Sequence, residues 1–557
     1  MTTTELRSDR RDGLKPSADP RHNSPFTLFV LLIGVFMAIL DFFIVNVALP
    51  SAQKELHAST AGIQWVVAAY GIALAAGLIT GGRIGDLFGR RRAFILGMLL
   101  FTLASAGCGI APDPNVLIAA RAVQGLAAAI FLPQILGVIG AAFSGPAQIR
   151  AFSGYGLTAG LGAVFGQLIG GALIQANLWD LGWRLVFWIN VPIGVAAAVM
   201  AMRALPVVRG AARTRLDPIG TGLVAAAVLA LVVPLVEGRS DGWPLWTWCC
   251  LAACPILLGL FYAHQRRLIV GGGTPVLNPV LFKSRAFAVG MPVALVYNLT
   301  IASYFFILAL YLQQGRGLSA LDSGLLFGAV GGPYLLTSMT SGKYAKRFGR
   351  NLLAVGAVVQ GAGYGLMAVT VHQAGAGHTI CWLIPAMAVI GAGMGYVYTP
   401  MFGLVLAGVD PRHSSSASGL LSTVQQIGGA IGVALAGIVY FDRLGVRLDA
   451  AAYTDAFAAS LVLLVLVAAA AAALILLLPD PRKAAAARAA ADAGTTGAAD
   501  ATSAAEALAD TPSASSAPPN SPSPSPSSSA PTSSSPSAPV SSSSPSSAAV
   551  SPPSVSG

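Results

Sequence analysis

The sequence predicts an all-α polytopic membrane protein of about fourteen spans. Three observations predict it: an apolar composition that water would not tolerate, apolar windows of bilayer length recurring along the chain, and cationic residues that alternate between two sides. The composition is 55% hydrophobic and 10% charged, where a soluble chain carries about 25% charged residues, and the mean hydropathy is +0.71. A helix needs about 20 mostly apolar residues to cross the hydrocarbon. Such windows fall near 26–49, 62–82, 93–111, 115–140, 152–175, 185–203, 218–236, 245–263, 286–312, 321–341, 352–371, 380–408, 416–440 and 456–478. Residues 1–25 are polar and basic, and the apolar run behind them is too long for a cleaved signal and lacks a small-residue cleavage site. The first window is therefore expected to be a retained helix.

The cations test that count independently. With the N-terminus placed in the cytoplasm and the sides alternated, 26 of the 33 Lys and Arg fall on the cytoplasmic side and 6 on the other, and Arg121 alone lies inside a span. Cytoplasmic loops carry such an excess, so the expected location is the cytoplasmic membrane with both termini inside. The net charge of +11 is assigned to lipid topology rather than to nucleic acid. Cys108, Cys249, Cys250, Cys254 and Cys381 all lie in or beside apolar stretches without metal-ligand spacing, and read as small apolar fillers.

An internal repeat divides the chain. GRIGDLFGR (82–90) and GKYAKRFGR (342–350) share glycines at their first and eighth positions, a Phe before the second glycine and a terminal Arg. Gln167, Gly170 and Gly171 have counterparts at Gln425, Gly428 and Gly429, so the two offsets, 260 and 258 residues, agree. Parallel repeats of this kind build transporter halves. The expected organisation is a tail over 1–25, a six-helix half over 26–203, an inserted helix pair with its loops over 204–285, and a second half over 286–478. An Ala/Ser/Pro-rich tail over 479–557 has the composition of disordered chain.

Four segments resemble the fourteen-helix drug:proton antiporter family of the major facilitator superfamily: LDFFIVNVALP (40–50), GRIGDLFGRRR (82–92), RAVQG (121–125), and GAVFGQLIGG (162–171) followed by WRLVFWINVPIG (183–194). The resemblance covers residues 26 to about 478 and implies the major facilitator fold, with two six-helix halves plus two inserted helices. It departs from the family pattern at Gln167, where a proline is usual, and at Leu87, where a basic residue is usual.

Asp41 lies about 15 residues into the first window. An aspartate at mid-helix costs about 2.5–3.5 kcal/mol on insertion scales, so it should face protein or a water-filled cavity. Two readings are open: a carboxylate that trades a proton for a substrate, or a structural acceptor within the bundle. Arg121 stays charged and needs an anion or several acceptors nearby, and Gln124 shares its helix face one turn on. The resemblance implies proton coupling for this arginine; a structural clamp is the alternative. Asn46 and Gln167 complete the candidate proton and substrate group. Gly82, Asp86, Gly89, Arg90 and Arg91 form a conformational loop, in which the resemblance implies that Asp86 acts as an ion-pair latch. Gly162, Gly166, Gly170 and Gly171 let helices approach closely, as the interface between halves would require. Asp217 before Pro218 reads as a helix cap, His264 as interfacial, and Glu237 and Asp322 as solvated helix ends.

No catalytic triad, zinc site or nucleotide loop occurs, and GKYAKRFGR lacks the ending of a phosphate loop. The resemblance implies a proton-coupled antiporter that exports small lipophilic or cationic drugs. It would act as a monomer in the lipid bilayer, need no cofactor beyond the proton gradient, and catalyse no reaction. Import of a nutrient by symport or facilitated passage is the rival within transport, and a membrane sensor or enzyme the rival outside it.

Overall fold

The computed structural model describes residues 25–479, apart from 144, 207–216, 240, 272, 274–278, 375–379, 407–408, 410–413 and 447–448. The expected tails lie outside the described residues, save Pro25 and Pro479. Among the described residues there is no strand, and the long helices number fourteen. They are α1 (Pro25–Leu56), α2 (Thr60–Phe88), α3 (Arg90–Gly109), α4 (Pro114–Ala142), α5 (Gly145–Ala176), α6 (Gly182–Ala204) and α7 (Pro218–Glu237). Then come α8 (Leu245–Val270), α9 (Arg285–Gly315), α10 (Ala320–Phe348), α11 (Arg350–Ala374), α12 (Ile380–Leu406), α13 (Ser414–Leu444) and α14 (Ala450–Leu476). Thirteen are long and apolar enough to cross a membrane. The exception, α10, is 29 residues long but rich in Gly, Ser and Thr, because much of its surface meets other helices rather than lipid.

Helix starts follow the local sequence. Ser59 accepts from the Gly62 amide, Asp113 precedes Pro114 and accepts from Asn115 and Val116, and Asp449 accepts from Ala452. Such caps satisfy amides that have no partner inside the helix. Ser319 and Asp322 form a reciprocal cap, Ser319 Oγ accepting from the Asp322 amide and donating to Asp322 Oδ2 at 2.7 Å. Asp322 is thus a capping residue rather than merely solvated.

Two boundaries differ from expectation. Helix α1 runs through Pro50 to Leu56, since packed neighbours tolerate a proline within a membrane helix. The segment expected as a loop at 82–92 is almost wholly helical, and the chain turns at Gly89 alone, whose φ of 91° suits glycine. Its repeat counterpart Gly349 turns α10 into α11 with a φ of 55°.

Helices α1–α6 pack among themselves, as do α9–α14, while α7 and α8 pair with each other against α2 and α13. Between the two six-helix groups, α5 meets α10 and α2 meets α13. The repeat relates α2 to α10 and α5 to α13, so each of these contacts is the image of the other. Several hydrogen bonds fix the face that carries the α2–α3 turn, here the turn face. Thr27 donates to Ala204 O, Arg91 to Met202 O, and Arg350 to Leu478 O. Both ends of the spanning region therefore lie on that face.

Candidate functional site

At 100° per residue, Ile39 and Phe43 share one face of α1 and Asp41 points the opposite way. Ile39 and Phe43 line a cavity between the two groups, whereas Asp41 is fully buried inside the first group. Its Oδ2 accepts from Arg121 Nη1 of α4 at 2.5 Å. Its Oδ1 accepts from Gln124 Nε2 at 2.8 Å and from Asn190 Nδ2 of α6 at 2.7 Å. Asn190 also donates to Ser105 Oγ of α3 at 3.0 Å, and Arg121 Nη1 to Gln124 Oε1 at 2.8 Å. Arg121 Nε donates to Val66 O, and the Tyr70 ring covers the guanidinium at 4.3 Å. Asp41, Ser105, Arg121, Gln124 and Asn190 are all fully buried. One carboxylate thus ties together α1, α3, α4 and α6. Breaking such a pair by removing one partner strands the other charge.

The expectation that proton and cargo compete directly at Asp41 is not met in this conformation, because the helix period turns the carboxylate away from the cavity. Sequence reading brought Asp41, Arg121 and Gln124 together as candidates. It did not place Asn190 or Ser105 with them, although Asn190 stands in the WINVPIG segment behind α5. Asn46 does not join the network: its Nδ2 donates to Phe43 O at 3.2 Å in its own helix, and its Oδ1 has no partner. Gln167 is buried with both amide atoms unpartnered. It lies at the contact with α10, where a Cβ on Gly324 would stand 2.7 Å from Gln167 O.

The glycines of α5 act mostly within their own group. Cβ atoms at Gly162, Gly166 and Gly170 would press on α1 at Ile39, Leu40 and Ile44, at 3.1, 3.0 and 2.7 Å. Only Gly171, of these four, meets the other group, with Ala320 O 2.3 Å from where its Cβ would be. The expected role at the interface between halves therefore holds for Gly171 and shifts to α1 packing for the others. On the turn face, Asp86 at the end of α2 pairs with Arg90 at the start of α3 across the Gly89 turn at 3.4 Å, and Arg90 also donates to Gly137 O of α4. Arg91 bonds to the end of α6. These bonds tie α2, α3, α4 and α6 within one group. Gly82 packs loosely on Pro133.

Beside them Asp217 caps α7, accepting from the Gly220 amide, His264 Nε2 and Gln265 Nε2 at 2.8, 2.9 and 2.8 Å. Burial works against its charge, but these bonds outweigh burial and hold the carboxyl below its ordinary value. His264 is thereby part of the α7–α8 junction. On the opposite face Trp65 Nε1 donates to Glu237 Oε1 at 2.6 Å, so Glu237 joins α7 to α2. There Glu55 holds Trp183 and Arg184. The last turn of α9 is a π-turn, Tyr311–Gly315, a form common at functional sites. It sends Gln313 to Val47 O at 3.0 Å and Gln314 to Gln53 Oε1 at 2.9 Å. These two bonds join the groups on the Glu55 face, and no motif in the sequence signals them.

In this conformation the cavity is narrow, with about 40 Å³ of open space, below the range of drug-sized sites. Its walls come from α1, α5, α9, α10 and α12, and carry Phe43, Phe305, Tyr334 and Tyr398 with Asn298 as the amide among them.

The family model described as the Major Facilitator Superfamily matches residues 31–433, with a second, overlapping match over 294–517. The chain is 37% identical over 446 residues to the probable actinorhodin transporter of Streptomyces coelicolor, covering 79% of this chain and 76% of that one. It is 30% identical over 422 residues to the tetracenomycin C resistance and export protein of Streptomyces glaucescens, covering 75% and 76%. The drug efflux pump JefA of Mycobacterium tuberculosis is 30% identical over 432 residues, covering 76% and 81%. The fold matches a crystal structure of an auto-inhibited POT-family peptide transporter, with a TM-score of 0.56 at 15% identity, covering 82% of this chain and 96% of that one. It also matches the human organic anion transporter MFSD10, with a TM-score of 0.53 at 14% identity, covering 82% and 100%. Helix pattern, repeat and sequence match agree: this chain is a multi-pass membrane protein that belongs to the Major Facilitator Superfamily.

Proposed function

We propose that this chain exports small lipophilic molecules, antibiotics among them, across the cytoplasmic membrane by alternating access, driven by inward movement of protons. Relatives named for export of and resistance to antibiotics support the cargo class. The observation that carries the mechanism is the two-sided α1, with Asp41 locked to Arg121 behind it and Ile39 and Phe43 facing the cavity in front. Protonation of Asp41 would release Arg121 and loosen the ties among α1, α4 and α6. The reorientation of α1 would then alter the cavity wall. Proton and cargo thus communicate through a helix rather than by sharing an atom.

The positive charges support a cytoplasmic turn face, and with it both ends of the spanning region on that side. Contacts between the groups run from Gly171 and Ala320 to Gly160 and Tyr334, and from Gln64 and Gly437 to Gly71 and Gln426. Nearer the turn face, among the described residues, a Cβ at Gly156, Gly342 or Gly419 would meet nothing within 4 Å. This pattern supports a cavity shut outside by Gln313 and Gln314 and opening inward. Network and cavity are complete in one chain, so a monomer suffices. Each proton supplies about 2.3 kcal/mol per 100 mV, enough to offset roughly a fortyfold gradient at 1.4 kcal/mol per tenfold.

The test is overexpression against a panel of toxic compounds, with accumulation measured in everted vesicles. Uptake that builds with a proton gradient and collapses with an uncoupler is expected. Antiport sends protons out of the lumen as substrate enters, so substrate-induced acidification of the lumen, as symport would give, refutes the exporter.

A further inference from the structure

Among the described residues, the wall of the central cavity carries no Asp, Glu, Lys or Arg. The nearest buried charges, Asp41 and Arg121, spend themselves on each other behind α1. A cation or carboxylate entering this space would lose its water and gain no counter-charge, which is costly in a low-dielectric site. What the wall offers is aromatic surface. The Phe43 and Phe305 rings meet edge to face at 5.1 Å, and Phe305 stacks on Phe327 behind it at 5.5 Å. Tyr334 and Tyr398 stand on the same wall. Gly160 makes room for the Tyr334 ring, since a Cβ there would lie 2.4 Å from Cε1. Rings arranged in this way favour offset or edge contact with a further flat ring.

Asn298 supplies the polar specificity. Its Nδ2 donates back to Ala294 O of its own helix at 2.9 Å, which fixes the amide and leaves Oδ1 as an acceptor at the cavity wall. A ligand group that donates there gains a bond, whereas an analogue lacking it leaves a polar atom covered and unpaired.

We infer that the cavity selects an uncharged, planar, polycyclic aromatic cargo that donates one hydrogen bond to Asn298 Oδ1, and that it discriminates against permanent cations. The inference rests on the export reading for its biological sense, but it is tested by binding alone. The probes are 2-aminoanthraquinone, which is neutral and carries a donor, anthraquinone, which lacks one, and tetraphenylphosphonium, a permanent cation. Equilibrium dialysis against the full-length chain in nanodiscs should show the amine binding about tenfold tighter than the parent, with the phosphonium displacing neither. Asn298→Leu should erase the preference between the two anthraquinones, and Asn298→Asp should bring in phosphonium binding. Because the readout is a ratio within each variant, partial misfolding does not mimic it. Phosphonium displacement by the wild type, or a preference that survives in Asn298→Leu, overturns the inference. A chain that binds the amine with this selectivity yet never accumulates it in energised vesicles leaves the cargo class supported and refutes export.

Discussion

Replacing Asp41 by Asn keeps the shape of the side chain and removes its charge. The variant retains an oxygen that can accept from Gln124 and Asn190, but it turns an amide or a neutral oxygen toward Arg121 Nη1, which the carboxylate now meets at 2.5 Å. The guanidinium is left with Gln124 Oε1, Val66 O and the Tyr70 ring, and its Nη2 already has no partner. Removing one member of a buried pair costs about 3–5 kcal/mol. Asp41→Asn should therefore lower unfolding free energy in detergent by about that amount. Arg121→Gln should also destabilise, and the double variant should recover about 2–3 kcal/mol relative to the sum of the singles.

Function separates the mechanisms more sharply than stability does. If Asp41 carries the proton, Asp41→Asn should abolish uncoupler-sensitive accumulation in everted vesicles. Because Asp41 lies behind α1, the variant should still bind cargo from the cavity at equilibrium. Cargo binding that vanishes along with accumulation, in a variant shown to be folded by its circular dichroism and gel-filtration profile, would restore direct competition at the carboxylate and refute coupling through the helix. Normal accumulation would refute any proton role for Asp41.

Other outcomes follow from the geometry. Gln314→Ala removes one bond of the Glu55 face, worth about 0.5–1.5 kcal/mol, so outward-facing populations should rise by roughly two- to tenfold, read by thiol labelling of a cysteine introduced at the buried Ala52, which leaves that bond intact in the reference protein. Gly171→Val should collide with the Ala320 carbonyl and cost at least the 1–3 kcal/mol typical of overpacking, visible as lost transport with membrane insertion intact. Asp217→Ala should destabilise by about 1–2 kcal/mol for the lost cap. The carboxyl of Asp217 lies below its ordinary value, so its contribution is complete above the unfolded value near 3.9 and is lost only as pH falls through the folded value. The difference between wild type and variant in thermal melts should therefore shrink as pH falls below about 4.

The helices were legible because each is a run of apolar residues: the cap read at Asp217 is kept, and Ser59, Asp113 and Asp449 cap three further starts in the structure. The weakest apolar window, α10, is weak for a physical reason. Its Gly324 and Gly331 lie against Gln167 and Val164 of α5, and close backbone contact there displaces the large apolar residues that hydropathy counts. Asp41 and Arg121 announced themselves as charges in lipid. Their facing did not follow, because the phase of α1 has meaning only once the cavity is located, and the cavity draws on α5, α9, α10 and α12, far apart in sequence. Gln313 and Gln314 gave no signal at all: an amide near a helix end is ordinary, and only the π-turn directs these two across to α1.

The inserted pair has a place in this motion. Helix α7 holds α2 at both ends, through Glu237 with Trp65 and Thr221 with Thr80 at 2.7 Å. It meets α13 through Val228, Val232 and Val236 beside Ala430 and Ala434, and Arg239 donates to Phe441 O at 2.5 Å. Those α13 residues belong to the half of the helix that ends on the Glu55 face. An element bonded along the whole of one helix and along half of another moves with the first. As the groups separate and close on the turn face, α7 and α8 should ride with α2, and the seam with α13 near Phe441 should act as the hinge. Spin labels on α7 should therefore keep their distance to α2 between states, while their distance to the turn-face half of α13 changes. A fixed distance to both would mean that the pair clamps the groups, and that alternating access takes another route.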